Sequence, residues 1–199
     1  MVTFRPMEAP ATVDLLRQAK AGSPDALNRL YERCAGRLLS YIRLRMGQPL
    51  RARLESRDIL QATLLKSLEH LDDLKGTEAQ SLMAWLARIA EHEIRDRVDY
   101  HQRQRRDAAR EVAIEDDSPI AAASRSALTR VIMGEEAQRL EAAIESLSPE
   151  HREVIVLRKF EELSFAEIGR RMGRTDDACR MLLARAMTAL TMRLSGAPR

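Results

Sequence analysis

Residues 164–194 carry six arginines (Arg170, Arg171, Arg174, Arg180, Arg185, Arg193) against three acids (Glu167, Asp176, Asp177). A guanidinium offers a planar fork of donors that fits phosphate oxygens and the acceptor edge of guanine better than an ammonium does. The local surplus of +3 (six minus three) therefore suits a polyanion. A second basic run, residues 95–110, holds Arg95, Arg97, Arg103, Arg105, Arg106 and Arg110, and its stretch 100–106 has no acid at all. Such a run can neutralise phosphates while its Tyr, His and Gln side chains stack on or bond to unpaired bases. A third segment, residues 58–67, reads Asp-Ile-Leu-Gln-Ala-Thr-Leu-Leu-Lys-Ser. At helical spacing Asp58, Gln61 and Lys66 fall on or near one polar face, opposite Ile59 and Leu64. By itself that is an amphipathic helix with a solvated face.

Other chemistries find little to work with. His70, His92, His101 and His151 make no metal pair at helical spacing with a third ligand, and Cys34 and Cys179 lie far apart. There is no P-loop and no nucleophile elbow. The reading is of a protein without metal or cofactor and not an enzyme, its cysteines being reduced thiols.

The elements that must position the basic groups follow from caps and periodicity. Of 199 residues, 45% are hydrophobic, 32% charged and 4% aromatic. That mixture suits helices, with Ala and Leu inside and Arg and Glu outside, rather than sheets rich in β-branched and aromatic residues. Residues 1–12 read as a loose tail. A helix over 13–21 ends at Gly22, and Ser23-Pro24 opens a second over 25–46, which Gly47 and Pro49 break. A third spans 56–70. Thr77-x-x-Gln80 is a capping-box pattern before a fourth helix from 79 past 97, running on toward 110. Residues 111–133 are acidic, then small and featureless, and read as a flexible linker. Helices follow over 135–146 and after Ser148-Pro149. Ser164-Phe165-Ala166-Glu167 is a capping box for a short helix ending at Gly173, and Thr175-Asp176-Asp177 caps the last helix.

The expected fold is therefore all-α: two helical domains joined by a flexible linker, the C-terminal one containing a helix-turn-helix. The domain bounds are 13–110 and 134–194, with the linker at 111–133. In the helix-turn-helix, Ala166, Ile168 and Met172 pack one helix on the other, with small Ala178 near the turn. Cys179, Leu183, Ala186 and Leu190 face inward, so that Asp177, Arg180, Met181, Ala184 and Arg185 face outward.

The net charge of +3 and pI near 9.1 are only mildly basic, although Arg far outnumbers Lys. No apolar run approaches the roughly 18 residues of a membrane span. The first ten residues include Arg5 and Glu8 but no apolar signal core, so a cytoplasmic protein without membrane insertion is expected.

Taken together, Asp58-Ile-Leu-Gln61, Trp85-Leu86-x-x-Ile89-Ala90 with the Arg run beyond it, Leu147-Ser148-Pro149-Glu150-His151-Arg152-Glu153-Val154, and Leu163-Ser164-Phe165-Ala166-Glu167-Ile168-Gly169 stand in a telling order. In order and spacing the chain resembles the extracytoplasmic-function branch of the bacterial RNA polymerase sigma factors, over about 13–106 and 134–192. The resemblance implies a factor that binds core RNA polymerase, directs it to promoters and promotes strand opening. It implies docking on the clamp helices of the largest polymerase subunit through Asp58, Ile59, Gln61, Leu65 and Lys66, and a contact with the polymerase flap. It implies −10 element contacts from Trp85, Arg88, His92, Arg95, Arg103, Arg105 and Arg106. The −35 element would be read by Arg174, Thr175, Asp177, Arg180, Met181, Ala184 and Arg185. An anti-sigma factor is a further implied partner, and the protein would join the nucleoid when bound to polymerase.

The chain departs from the family where Glu91-His92 replaces a common Asn, Ala62 an acid, and Arg180-Met181-Leu182 the frequent Lys-Ser-Arg. The last change suggests fewer polar base contacts. The rival reading is a stand-alone helix-turn-helix regulator with a helical dimerisation or sensing domain, for which no strict heptad seam is evident.

Overall fold

The computed structural model describes residues 10–74, 79–108 and 135–196, and every regular element among them is helical. Four helices form the first half: α1 (Pro10–Lys20), α2 (Pro24–Arg51), α3 (Ser56–Glu69) and α4 (Ala79–Ala108). A 3-10 turn, Leu71–Asp73, follows α3. The second half holds α5 (Glu135–Glu145), α6 (Pro149–Lys159), α7 (Phe165–Met172) and α8 (Asp176–Leu194).

The caps act as their residue types dictate. The Ser23 hydroxyl accepts from the Ala26 amide, and Ser148 does the same for His151, each with proline at the first helical position. One boundary differs from expectation. Helix α1 begins at Pro10, inside the stretch read as tail, because proline at a first turn loses no needed donor. The break expected at Gly47 is present inside the α2 span, where Gly47 adopts φ 63°, ψ 170°; only Pro49 departs from expectation, lying within a further turn that reaches Arg51. The Thr77 capping box and the linker at 111–133 lie outside the described residues.

Burial follows the helical stripes. Leu16, Leu30, Leu38, Leu39, Ile42, Ile59, Leu82, Met83 and Leu86 fill the space between α1, α2, α3 and α4. Ile144, Val154, Ile155, Leu157, Phe160 and Ile168 do so in the second half. Each such side chain contributes about 1.5–3 kcal/mol on leaving water. On α8 the inward set is Cys179, Leu182, Ala186 and Leu190; Leu183, expected inward, is only half-buried at the rim. Both leucines lie near the stripe, about 100° apart, and the packing of the neighbouring helices buries Leu182. Ala166 is exposed, leaving Ile168 and Met172 to join α7 to its neighbours.

Among the described residues the two halves touch. Tyr41 of α2 meets Phe160, just past α6, with ring centroids 6.0 Å apart. Ion pairs link α2 to α5 and α6, and one apolar cluster includes residues of both halves.

Candidate nucleic-acid and polymerase surfaces

The helix-turn-helix unit is built by local chemistry. At the start of α7 the Ser164 hydroxyl accepts from the Glu167 amide at 3.3 Å, and Glu167 Oε2 accepts from the Ser164 amide at 2.8 Å. The Ser164 side-chain and backbone hydrogen bonds hold the Glu167 carboxyl below its usual pKa. Helix α7 stops at Gly173, whose φ of 65° and ψ of 39° are the left-handed conformation that glycine adopts without a side-chain clash. The Thr175 hydroxyl then accepts from Ala178 at 3.3 Å and opens α8, with Asp176 and Asp177 at its positive end.

Beyond that turn Asp177, Arg180, Met181, Ala184 and Arg185 are exposed on one side of α8, Met181 at 57%. Their cations are not equivalent. The Arg180 guanidinium lies 4.9 Å over the Phe165 ring and 3.4 Å from Asp177, while Arg158 lies 4.8 Å over the same ring. Arg174 Nη2 donates to Glu150 Oε1 at 2.5 Å. No ion pair among the described residues holds Arg185. Thr175 is exposed, its hydroxyl spent on the cap.

On α3 the exposed face is Gln61, Leu65 and Leu68, spaced four and three residues apart, with Leu65 56% exposed. Asp58 is half-buried at the N-terminal end of the helix, and Ile59 is buried, supporting the face from below. Lys66 leans onto α4, where it pairs with buried Glu93 and sits 3.7 Å from Asp96. The hydrogen bond to Glu93 raises the Lys66 pKa.

On α4, Arg88, His92 and Arg95 are exposed at i, i+4 and i+7, a single face. Trp85 is buried in the core, its indole largely covered. Arg95 also reaches Glu91 at 2.8 Å, one turn back. Arg103, Arg105 and Arg106 continue the same helix, with side chains outside the described set. Burial pushes the Glu91 carboxyl up, but the hydrogen bond from Arg95 and the charges of Arg171, Arg95 and Arg45 outweigh it, and its pKa is lowered.

Two protein-family descriptions match the chain in this order: "Sigma-70 region 2" over residues 30–106 and "Sigma-70, region 4" over residues 137–190. The chain belongs to the sigma-70 family, in its extracytoplasmic-function branch. Region 2 thus spans most of α2, all of α3 and nearly all of α4, and region 4 runs from within α5 to within α8. Among relatives, the ECF RNA polymerase sigma factor BldN of Streptomyces coelicolor is 26% identical over 185 residues, 89% of this chain and 64% of BldN. The chain therefore spans a little under two thirds of that relative. The RNA polymerase sigma factor CarQ of Myxococcus xanthus is 28% identical over 167 residues, 83% of this chain and 87% of CarQ. Among solved structures, CnrH in complex with the cytosolic domain of CnrY is 24% identical, covering 94% of this chain and 99% of that one, with a TM-score of 0.45. The RsbN–BldN complex is 23% identical over 88% and 96% of the chains, with a TM-score of 0.34.

Three residues that the sequence reading names only within its motifs and departures make contacts it did not assign. Gly169 sits where α7 meets the turn; a Cβ there would lie 2.6 Å from the Arg174 carbonyl oxygen. Its place in a capping-box helix is the only local signal. Phe165, named only within the capping box and its motif, lies under two guanidiniums, those of Arg158 and Arg180. Glu91, named only as part of a departure from the family pattern, is reached by Arg171 of region 4 at 3.0 Å.

Proposed function

We propose that the protein is a promoter-specificity factor: it binds core RNA polymerase, brings it to defined promoters and promotes strand opening. The reading is carried by the coincidence of the two family matches with two exposed faces of different chemistry. In region 2 the face Gln61–Leu65–Leu68 offers apolar surface with a polar flank, suited to packing on a pair of helices such as the polymerase clamp. In region 4 the face Arg180–Met181–Ala184–Arg185 follows a tight, capped turn, suited to a major groove.

The assignments follow from those faces. Asp58, Gln61, Leu65 and Lys66 form the docking patch over buried Ile59. Arg88, His92 and Arg95, continued by Arg103, Arg105 and Arg106 along α4, engage the −10 element, with Trp85 supporting them from the core. Arg174, Thr175, Asp177, Arg180, Met181, Ala184 and Arg185 address the −35 element. The functional units are α1 through α4 up to residue 110, a linker over 111–133, and 134–194, whose open side also meets the polymerase flap. Polymerase supplies the chemistry of bond formation and this protein none; no cofactor is required. An anti-sigma factor that covers these faces would hold the protein inactive. The protein works in the cytoplasm, on the nucleoid when bound to polymerase. No helix among the described residues is long and apolar enough to cross a membrane.

Run-off transcription on genomic fragments with core polymerase tests the reading. New, discrete transcripts should appear only when the protein is added. A transcript pattern identical to that of core enzyme alone, across ionic strengths, would refute it. Binding of the free protein to a palindrome without polymerase would favour the stand-alone regulator instead.

A further inference from the structure

Residues 164–194 carry one aromatic side chain, Phe165. It follows the Ser164 cap directly as the first residue of α7, so the capping box fixes its backbone. The ring is half-buried against the apolar core. From α6 the Arg158 guanidinium lies 4.8 Å from its centroid, and from α8 that of Arg180 lies 4.9 Å away. Arg158 is itself tethered, since its Nη1 donates to the Leu163 carbonyl at 2.7 Å. Arg180 has a second hold: its Nε lies 3.4 Å from Asp177 Oδ1, one turn back. No hydrogen bond among the described residues uses its two terminal nitrogens, Nη1 and Nη2.

Other arginines of the unit are placed differently. Arg171 is spent on Glu161 and Glu91, and Arg174 on Glu150. Arg180 is both held and reachable, its side chain being 58% exposed. An unheld arginine on a helix surface has many rotamers, and ordering them is a cost of binding. The negative face of an aromatic ring attracts a guanidinium while leaving its in-plane donors available. The chemistry of the ring matters here, because Arg158 and Arg180 carry like charge. An aliphatic side chain of similar size, with no such face, would leave their repulsion opposed only by Asp177.

Resting on the promoter-factor reading, we propose that Phe165 is a positioning residue for promoter recognition: its ring, braced by Arg158, holds the Arg180 guanidinium so that its terminal nitrogens select a guanine in the upstream element. Guanine presents O6 and N7 in the major groove, two acceptors that one guanidinium meets with two hydrogen bonds. Phe165 touches no base in this scheme and acts through Arg180. A held Arg180 discriminates, because it does not swing to a phosphate when the wrong pair is present. Released, it would still bring its positive charge, so affinity would persist while selectivity fell.

In the free full-length protein, nuclear magnetic resonance reads the Arg180 Nε–H and side-chain methylene signals, which a ring beneath them shifts upfield. Phe165→Leu should remove that shift and Phe165→Tyr should keep it, with circular dichroism confirming that each is helical. A second arm uses holoenzyme on a promoter found by run-off transcription, with every pair of the upstream element replaced in turn. Arg180→Ala should lose discrimination at one G·C pair, by about fivefold or more. Phe165→Leu should lose about two- to fivefold at the same pair, and Phe165→Tyr should retain it. Added to Arg180→Ala, Phe165→Leu should change that pair no further. A merely structural role for the ring would instead weaken binding evenly over all pairs. An unshifted Arg180 in the parent, that even loss, or an undiminished Phe165→Leu effect without Arg180 would each overturn the proposal. Should Phe165→Leu fail to fold, the Arg180 shift of the parent and the Arg180→Ala profile still decide. The free-protein arm needs neither polymerase nor promoter, so failure of the promoter-factor reading would appear separately, in the run-off assay.

Discussion

Replacing Gly169 with alanine sets two opposed effects against each other, and their sum has a definite sign. In a helix interior, alanine is favoured over glycine by about 0.8–1.0 kcal/mol. Were Gly169 an ordinary helical position, the variant would be stabilised by that amount. The added Cβ, however, would stand 2.6 Å from the Arg174 carbonyl oxygen, where ordinary contact begins at 3.4 Å, so 0.8 Å (3.4 minus 2.6) must be found. The obstacle is backbone, and it is braced, because the Arg174 amide donates back to the Gly169 carbonyl at 2.9 Å. Overpacking of this kind costs about 1–3 kcal/mol, and a rigid obstacle puts it in the upper part of that range. A net loss of about 1–2 kcal/mol is expected, read as a lower urea midpoint by far-ultraviolet circular dichroism. Because Arg174 leads directly into the Thr175 cap, the shift should also displace the start of α8 and weaken binding to an upstream-element duplex. Gly173→Ala is the control. Its Cβ meets nothing within 4 Å, but φ is +65°, so it should lose about 1 kcal/mol from backbone conformation with less effect on DNA. A Gly169→Ala protein as stable as the parent, or more so, would refute the close-approach argument.

Arg185→Ala should weaken duplex binding across sequences and reduce the slope of log affinity against log salt by about 1; an unchanged slope would remove Arg185 from the phosphate contacts. Leu65→Glu should lower affinity for core polymerase at least about tenfold while leaving the unfolding free energy within about 0.5 kcal/mol, since the side chain is 56% exposed. Equal affinity would sink the docking patch. Cys34 is fully buried, and burial pushes its thiol pKa up to about 12, so the neutral form is favoured throughout the ordinary range. A raised pKa means this contribution to stability is complete below the ordinary value of 9.0 and is lost as pH rises toward about 12. Thiol titration at pH 8 should therefore require denaturant; prompt reaction in the native protein would contradict the packing around α2.

Local chemistry made much of this protein legible without coordinates. Ser23-Pro24, Ser148-Pro149, the Ser164–Glu167 box and Thr175-Asp176-Asp177 each satisfy nearby backbone amides, so they mark helix starts wherever the chain goes. The outward set on α8 was likewise legible, because 3.6-residue periodicity separates Arg180, Met181 and Arg185 from Cys179 and Ala186. Between Leu182 and Leu183 the same periodicity is silent: both are apolar and adjacent, and only the position of a neighbouring helix chooses. The docking of the two regions lay further from view. Arg45 and Glu161 are 116 residues apart, and nothing in an arginine on one helix names its carboxylate on another. Sequence by itself determined helices, caps and the composition of each face. Tertiary structure alone decided which charges are buried together, because that depends on distances between elements that local spacing does not encode.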